Sequence, residues 1–330
     1  MQINRSWACA RRALHLVACA AALMVLGPNA QAAWPERPIT LIIPFAPGGP
    51  PDIIARILQT TLGQALGQQL IIDNRAGAAG NIAMGQVARA KADGYTLMLT
   101  TTAIAVNPAL FKNLPYDSFR DFAPISELVN APNVLVVHPN SGINSIAELV
   151  AQVKANPTKF NYSSPGAGTK SHLTGELLKL RAGIQMVHIP FRGAGPAAQA
   201  VLANTVQVGS VALAAAETLI QDGQLRALAV TSAKRWFSLP NVPTMIESGY
   251  PDFISDTFNA LFAPAGTPPE ILSVLVRESR AAFLRPETRE LARKAGFEIV
   301  AGTPEQLTAR IASEIPAVRE LVERAGIKAE

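Results

Sequence analysis

From residue 39 onwards, short apolar runs typical of buried strands alternate with amphipathic helical patterns. This alternation is characteristic of βαβ units, which build parallel sheets covered by helices. Strands are predicted at residues 39–45, 69–73, 95–100 and 134–138, and a helix begins at Pro51. The sequence therefore predicts an α/β fold.

Capping residues mark three further helix starts. Ser145 and Glu148 have the spacing of a capping box, in which each side chain bonds the backbone N–H of the other residue. Thr267 and Thr303 each stand before proline, a residue favoured at the first helical position. Helices are therefore expected to begin just after these three positions.

The first 32 residues are predicted to be a signal peptide. An apolar run, residues 13–27, leads to the small-residue site Ala30-Gln31-Ala32, after which cleavage is expected. The positive n-region contains Arg5, Arg11 and Arg12. The expected product is a periplasmic protein. The export route, Sec or twin-arginine, and lipidation of Cys19 within a short lipobox both stay open.

Removal of this peptide changes two arguments from composition. Both cysteines, Cys9 and Cys19, leave with it, so neither a disulfide nor thiol chemistry is expected. The formal charge of +5 loses three arginines, which leaves 26 basic residues against 24 acidic ones, about +2. The basic isoelectric point is therefore no argument for nucleic acid.

Three glycine-rich loops, each between a predicted strand and a helix, share one chemistry. They are residues 46–49, 163–169 and 192–195. Glycines let backbone N–H groups approach a ligand, and the following helix adds its positive dipole end. Any one of them is more often an ordinary turn. Three in one chain favour a cleft that binds a carboxylate or phosphate. Residues 43–50 and 189–196 are similar in sequence, which favours two similar lobes.

Individual side chains near these loops have competing roles. Asp52, in a first helical turn, is expected to stabilise the helix through its dipole rather than to contact a ligand. Arg192 is a better candidate than Lys170 for neutralising an anion, because it lies inside a glycine loop. His172 is either a ligand donor or a packed side chain, with packing favoured. The histidine spacing fits no metal site, and no cofactor is expected.

An exported enzyme is the alternative class. A hydrolase of the Gly-x-Ser-x-Gly type is not supported, since that motif is absent. Residues 193–198 match a Gly-x-Gly-x-x-Ala dinucleotide motif, with Glu217 as the candidate ribose ligand. Pro196 interrupts its turn, so a dinucleotide-dependent oxidoreductase is a minor alternative.

The ordered motifs resemble the Bug (TctC) family, the receptors of tripartite tricarboxylate transporters. The resemblance covers nearly all of the chain after the signal peptide. Its strongest segments are residues 34–39, 44–56, 73–82, 92–97, 105–110, 164–173, 239–244 and 262–268.

The resemblance implies a two-lobed periplasmic-binding-protein (Venus flytrap) fold with two crossover strands, near residues 132–138 and 257–262. Lobe 1 would comprise residues 33–133 plus 258–330, and lobe 2 residues 134–257. The protein would be a monomer that binds a small organic carboxylate for the transporter's membrane subunits. The expected ligand-binding residues are Phe45, Pro47, Gly48, Gly49, Asp52, Thr101, Thr102, Ala103, Ser164, Gly166, Ala167, Gly168, Thr169, His172, Arg192, Gly193 and Ser210.

Three departures from the family pattern bear on the ligand. Pro50 and Pro51 replace residues with N–H donors, Phe258 replaces a common tryptophan, and residues 208–213 are unusually apolar. With Phe45 and Phe191, these changes favour an aromatic or long-chain carboxylate, for which burial of apolar area supplies affinity.

Overall fold

The computed structural model describes residues 34–327, so the predicted signal peptide, residues 1–32, lies outside the described part. The strands are β1 Ile39–Ile43, β2 Leu70–Asn74, β3 Thr96–Thr101, β4 Phe122–Val137, β5 Asn161–Ser164, β6 Val187–Pro190, β7 Val208–Ala212, β8 Arg226–Val230, β9 Asp256–Pro264 and β10 Glu298–Ile299. The helices are α1 Pro50–Leu66, α2 Asn81–Ala88, α3 Ala103–Leu110, α4 Ile146–Ala155, α5 Lys170–Ala182, α6 Ala194–Leu202, α7 Glu217–Gln221, α8 Pro269–Leu284, α9 Pro286–Lys294 and α10 Pro304–Ala325.

The strands form two half-sheets that share β4. In the first half-sheet the order is β2-β1-β3-β9-β4, where β1, β2 and β3 are parallel and β9 is antiparallel to both neighbours. In the second the order is β4-β7-β5-β6, with β5, β6 and β7 parallel. The predicted α/β fold is confirmed, and from Arg37 onwards the chain packs as one compact unit.

Strand β4 passes from one half-sheet to the other. Its first part pairs with β9 as far as Pro132, and residues from Asn133 onwards pair with β7. The sequence predicted only its last residues, 134–138, because Pro124 and Glu127 interrupt the apolar pattern. Register shifts beside these two residues accommodate them. His138 is not in the strand, since it caps a short 3₁₀ turn.

Each half-sheet has its own buried core. In the first, aromatic side chains of β4 and β9 pack against α2, α3 and α10, and Phe122 contacts Phe262 edge to face. In the second, Tyr162 and Phe253 are fully buried on one face, while α6 covers the other. None of the helices within residues 34–327 is both long and apolar enough to cross a membrane.

The helix caps follow the sequence in part. Thr303 forms the full capping box with Gln306 at the start of α10. Ser145 accepts from the N–H of Glu148, yet the Glu148 carboxylate reaches Asn144 N–H, so the predicted reciprocal bond is wrong. Helix α8 begins at Pro269 with Pro268 as its N-cap, one residue later than predicted.

We expect Thr303→Ala to lower the free energy of unfolding by about 1 kcal/mol, because the Gln306 N–H loses the Thr303 hydroxyl that caps it. Denaturant unfolding measures this directly. Thr308→Ala is the matched control, since the exposed Thr308 hydroxyl only donates to the Pro304 carbonyl within the same helix. Equal stability of the two variants would contradict a role for the cap.

Candidate functional site

Two of the three predicted glycine loops are in direct contact. The Ala46 N–H donates to the Arg192 carbonyl at 3.3 Å, which joins a loop of the first half-sheet to a loop of the second. A methyl group on Gly195 would lie 3.5 Å from the Gly48 carbonyl oxygen. Gly193 has a φ of +145°, a backbone conformation in which a side chain would be strained, and a methyl group there would contact Ala46 at 3.4 Å. The loops of the two half-sheets thus meet across a closed gap.

Several backbone N–H groups that were predicted to bind an anion donate to other groups of the protein instead. The Gly48 N–H donates to the Asp52 carboxylate at 3.1 Å, and the N–H groups of Asp52 and Ile53 both donate to the Gly49 carbonyl. Asp52 is 3% exposed and also accepts from Arg56 at 3.1 Å. Asp52 therefore closes the loop and the first turn of α1, the structural role that the sequence favoured.

A small cavity lies between these loops and the strands β3 and β9. Its volume is about 30 Å³, room for roughly two water molecules. We call it the cleft cavity. It is lined by Phe45, Gly49, Pro50, Pro51, Thr101, Pro165, Thr169, Lys170, Ser171, Ala194, Ala212 and Thr257. The walls are mostly apolar, and the polar residues that line them are three threonines, Ser171 and Lys170. This volume is too small for an organic acid.

A buried polar network lies where β4 and β9 cross between the half-sheets. The side-chain Oδ1 of Asn133 accepts from the Ser171 hydroxyl at 2.6 Å and the Thr257 hydroxyl at 3.4 Å. The Ser210 hydroxyl donates to the Ser171 carbonyl at 2.6 Å. Ser210 is fully buried, so it positions Ser171 of the cleft wall. Asn133 and Thr257 could not be identified as site residues from the sequence, because their meeting depends on the strand crossing.

Behind the second loop, two histidine rings stack. His172 and His188 have ring centroids 4.1 Å apart, and His188 stacks on Tyr162 at 4.9 Å. Burial lowers the pKa of His172 to about 4, and burial together with His172 lowers the pKa of His188 to about 3. Both rings are therefore neutral at pH 7. The Gly168 N–H approaches His172 Nδ1 at 3.4 Å, and the Ser164 hydroxyl bonds His188 Nε2 at 2.6 Å.

Nine of the predicted ligand-binding residues line one or more of three cavities, and the other eight line none of them. Those that line the cleft cavity are Phe45, Gly49, Thr101 and Thr169. A cavity of about 50 Å³ outside the loops includes Phe45, Gly166 and Arg192. One of about 230 Å³ beside the histidines includes Ala167, Gly168 and His172. Those that line none of the three are Pro47, Gly48, Asp52, Thr102, Ala103, Ser164, Gly193 and Ser210.

The two cations weighed from the sequence have opposite surroundings. Arg192 is exposed, whereas the Lys170 side chain is only 18% exposed and lines the cleft cavity. Lys170 Nζ lies 3.2 Å from Glu314 on α10. Of the two, only Lys170 lines the cleft cavity, whereas Arg192 lines the neighbouring cavity of about 50 Å³, and the preference for Arg192 from sequence stays a prediction.

Two enzymatic alternatives find little support in this geometry. Ser164 and His188 are within bonding distance, but Ser164 is fully buried, and an imidazole with a pKa near 3 is a weak base. The dinucleotide motif at residues 193–198 packs against the first loop, where a pyrophosphate would need space. Among residues 34–327, no cluster of three or more His, Cys, Asp or Glu side chains could hold a metal ion.

Known proteins resemble this chain in sequence and in fold. The model of the tripartite tricarboxylate transporter family receptor matches residues 54–327. Protein BugT of Bordetella pertussis is 37% identical over 306 residues, 92% of this chain and 94% of BugT.

Three solved structures share the fold. The periplasmic binding protein BugD is 34% identical with a TM-score of 0.86, covering 90% of this chain and 100% of BugD. A protein of R. palustris solved with adipate is 33% identical with a TM-score of 0.87, covering 89% and 99%. MatC from Rhodopseudomonas palustris with bound malate is 29% identical with a TM-score of 0.84, covering 88% and 100%.

Proposed function

Since the chain belongs to the Bug (TctC) family of tripartite tricarboxylate transporter receptors, we propose that it captures a small organic carboxylate in the periplasm and presents it to the membrane subunits of such a transporter. The observation that carries the proposal is the meeting of loops from both half-sheets around the cleft cavity. Two structural relatives contain the carboxylates adipate and malate.

The proposed mechanism is hinge closure. Lobe 1, residues 33–133 with 258–330, and lobe 2, residues 134–257, would rotate about the β4 and β9 crossing, where Asn133 and Thr257 lie. The Ala46–Arg192 bond belongs to the closed arrangement. A ligand that contacts both lobes stabilises that arrangement by its higher affinity for it. The transporter subunits would then recognise the closed form.

The cleft walls favour a ligand with an apolar middle. Phe45, three prolines and two alanines provide apolar area, which stabilises a bound aliphatic or aromatic chain. Hydroxylated tricarboxylates would leave polar groups against these walls without partners, at a cost in affinity. We therefore place adipate-like and aromatic carboxylates ahead of citrate.

A thermal-shift screen followed by calorimetry tests the proposal. Adipate, malate, citrate and benzoate are the probes, with adipamide as the uncharged control. A ligand at 100 times its dissociation constant stabilises the folded state by about 2.7 kcal/mol, which raises the melting temperature by a few degrees. Adipate or benzoate should give the largest shift and adipamide none. A protein unaffected by every acid would refute the carboxylate receptor.

A further inference from the structure

The cleft cavity offers unusually few backbone donors to an anion. Three of its lining residues, Pro50, Pro51 and Pro165, have no N–H group. In the first loop the N–H groups of Ala46 and Gly48 already bond Arg192 and Asp52. Hydroxyls alone neutralise little charge. A charged side chain in this cavity would therefore strengthen recognition of a carboxylate.

Lys170 is the only charged residue among those described as lining the cleft cavity. It is the first residue of α5, directly after the N-cap Thr169, which also lines the cavity. The ammonium group has three donors. One of them meets Glu314 at 3.2 Å, and both side chains are largely buried, 18% and 14% exposed.

Glu314 belongs to a larger charge cluster that reaches the strand crossing. Arg310, one turn earlier on α10, bonds Glu314 at 3.4 Å, Glu127 of β4 at 2.8 Å and Asp256 of β9 at 2.6 Å. With Lys170 the cluster has two cations and three carboxylates. Within this cluster, Glu314 is therefore the carboxylate whose negative charge would repel a ligand carboxylate beside Lys170.

We propose that Lys170 selects ligands for their negative charge and that Glu314 competes with the ligand for the same ammonium group. The inference rests on the proposed function, because it assigns the charge specificity of that carboxylate site. Removing the cation weakens carboxylate binding, while removing the competing anion strengthens it. The two substitutions therefore change affinity in opposite directions, although both break the same ion pair.

Calorimetry with adipate on the purified protein tests this competition. Lys170→Met should weaken binding tenfold to a hundredfold, the usual effect of losing a charge-assisted hydrogen bond. Lys170→Arg should retain most of the affinity. Glu314→Gln, which keeps the shape of the side chain, should strengthen binding about threefold to tenfold. The double variant should bind as weakly as Lys170→Met, because Glu314 acts only through the ammonium group.

Lys179→Met is the matched control. Lys179 lies on the same helix, has the same side-chain exposure of 18% and pairs with Glu176 at 2.8 Å, but it does not line the cleft cavity. Its replacement should leave adipate affinity unchanged. Melting temperatures of all variants separate loss of binding from loss of fold.

The outcomes separate this inference from the proposed function. If the wild type binds adipate and Lys170→Met binds it equally well, Lys170 is not the selecting cation and the receptor function stands. If Glu314→Gln weakens binding, Glu314 positions the ligand or Lys170, and competition is wrong. If the wild type binds neither adipate nor malate, the carboxylate site itself is refuted.

Discussion

Gly175→Ala is expected to lower the free energy of unfolding by about 2–3 kcal/mol, although alanine normally stabilises the interior of a helix by up to about 1 kcal/mol over glycine. The reversal has a steric cause. A methyl group on Gly175 of α5 would overlap the Tyr162 ring. That ring is fully buried, stacks on His188 and bonds Glu176 at 2.6 Å, so it cannot move away.

Denaturant unfolding of the variant measures this cost. Gly195→Ala is the control, since its methyl group would meet the Gly48 carbonyl at an ordinary 3.5 Å and should change stability little. A Gly175→Ala protein as stable as the wild type would mean that α5 does not pack against Tyr162 as described. Because α5 begins where the second loop ends, the packing of α5 on Tyr162 also holds the end of that loop in place.

Most of the scaffold could be predicted from the sequence, because local signals specify it. The strand and helix alternation from residue 39 gave β1, β2 and β3 within one or two residues at each end. The Thr303 cap was found because all its partners lie within three residues. The first part of β4 was missed, since its bulges arise from pairing with β9, which is more than a hundred residues away.

The candidate site was predictable only in outline. Glycine loops can be located from sequence, and their meeting follows from the carboxyl ends of parallel strands. Which cation faces the cavity cannot be found in this way. Lys170 meets Glu314, 144 residues further along the chain, because α10 packs on α5 through a cluster that contains Leu173 and Val318. Arg192, inside a glycine loop, was preferred on local grounds and is exposed instead.

The histidine stack is likewise a product of tertiary structure. The β5–β6 register places His188 opposite Tyr162, and the first turn of α5 brings His172 above it. No spacing in the sequence reveals this arrangement. Its consequence is a pH dependence of stability.

Acid should destabilise the protein below pH 6.5 through this stack. In the unfolded chain a histidine takes up a proton near pH 6.5, whereas burial holds the pKa of His172 near 4 and that of His188 near 3 in the folded protein. The unfolded state thus binds more protons between these values, so the free energy of unfolding falls as pH falls. For the two histidines together we expect a loss of about 2–4 kcal/mol between pH 7 and pH 5.

One buried carboxyl acts in the opposite direction. Burial raises the pKa of Glu127 to about 7, with Arg310 opposing the shift. Its folded state takes up a proton that the unfolded state does not hold above pH 4.5, so its contribution is present at low pH and is lost as pH rises through about 7. Comparing variants at each pH cancels this contribution, because Glu127 is the same in all of them.

His188→Phe isolates the histidine contribution, since phenylalanine preserves a flat ring against Tyr162 but cannot take up a proton. The variant should lose roughly half as much stability as the wild type between pH 7 and pH 5, measured by denaturant unfolding at each pH. His138→Asn, which retains a side-chain acceptor at the 3₁₀ cap, should keep the wild-type slope. If His188→Phe also keeps that slope, protonation of the stack does not limit acid stability. Because protonated His172 can no longer accept from the Gly168 N–H, the second loop should loosen only as the pH falls towards 4, the pKa of His172 in the folded protein, and carboxylate affinity should fall with it.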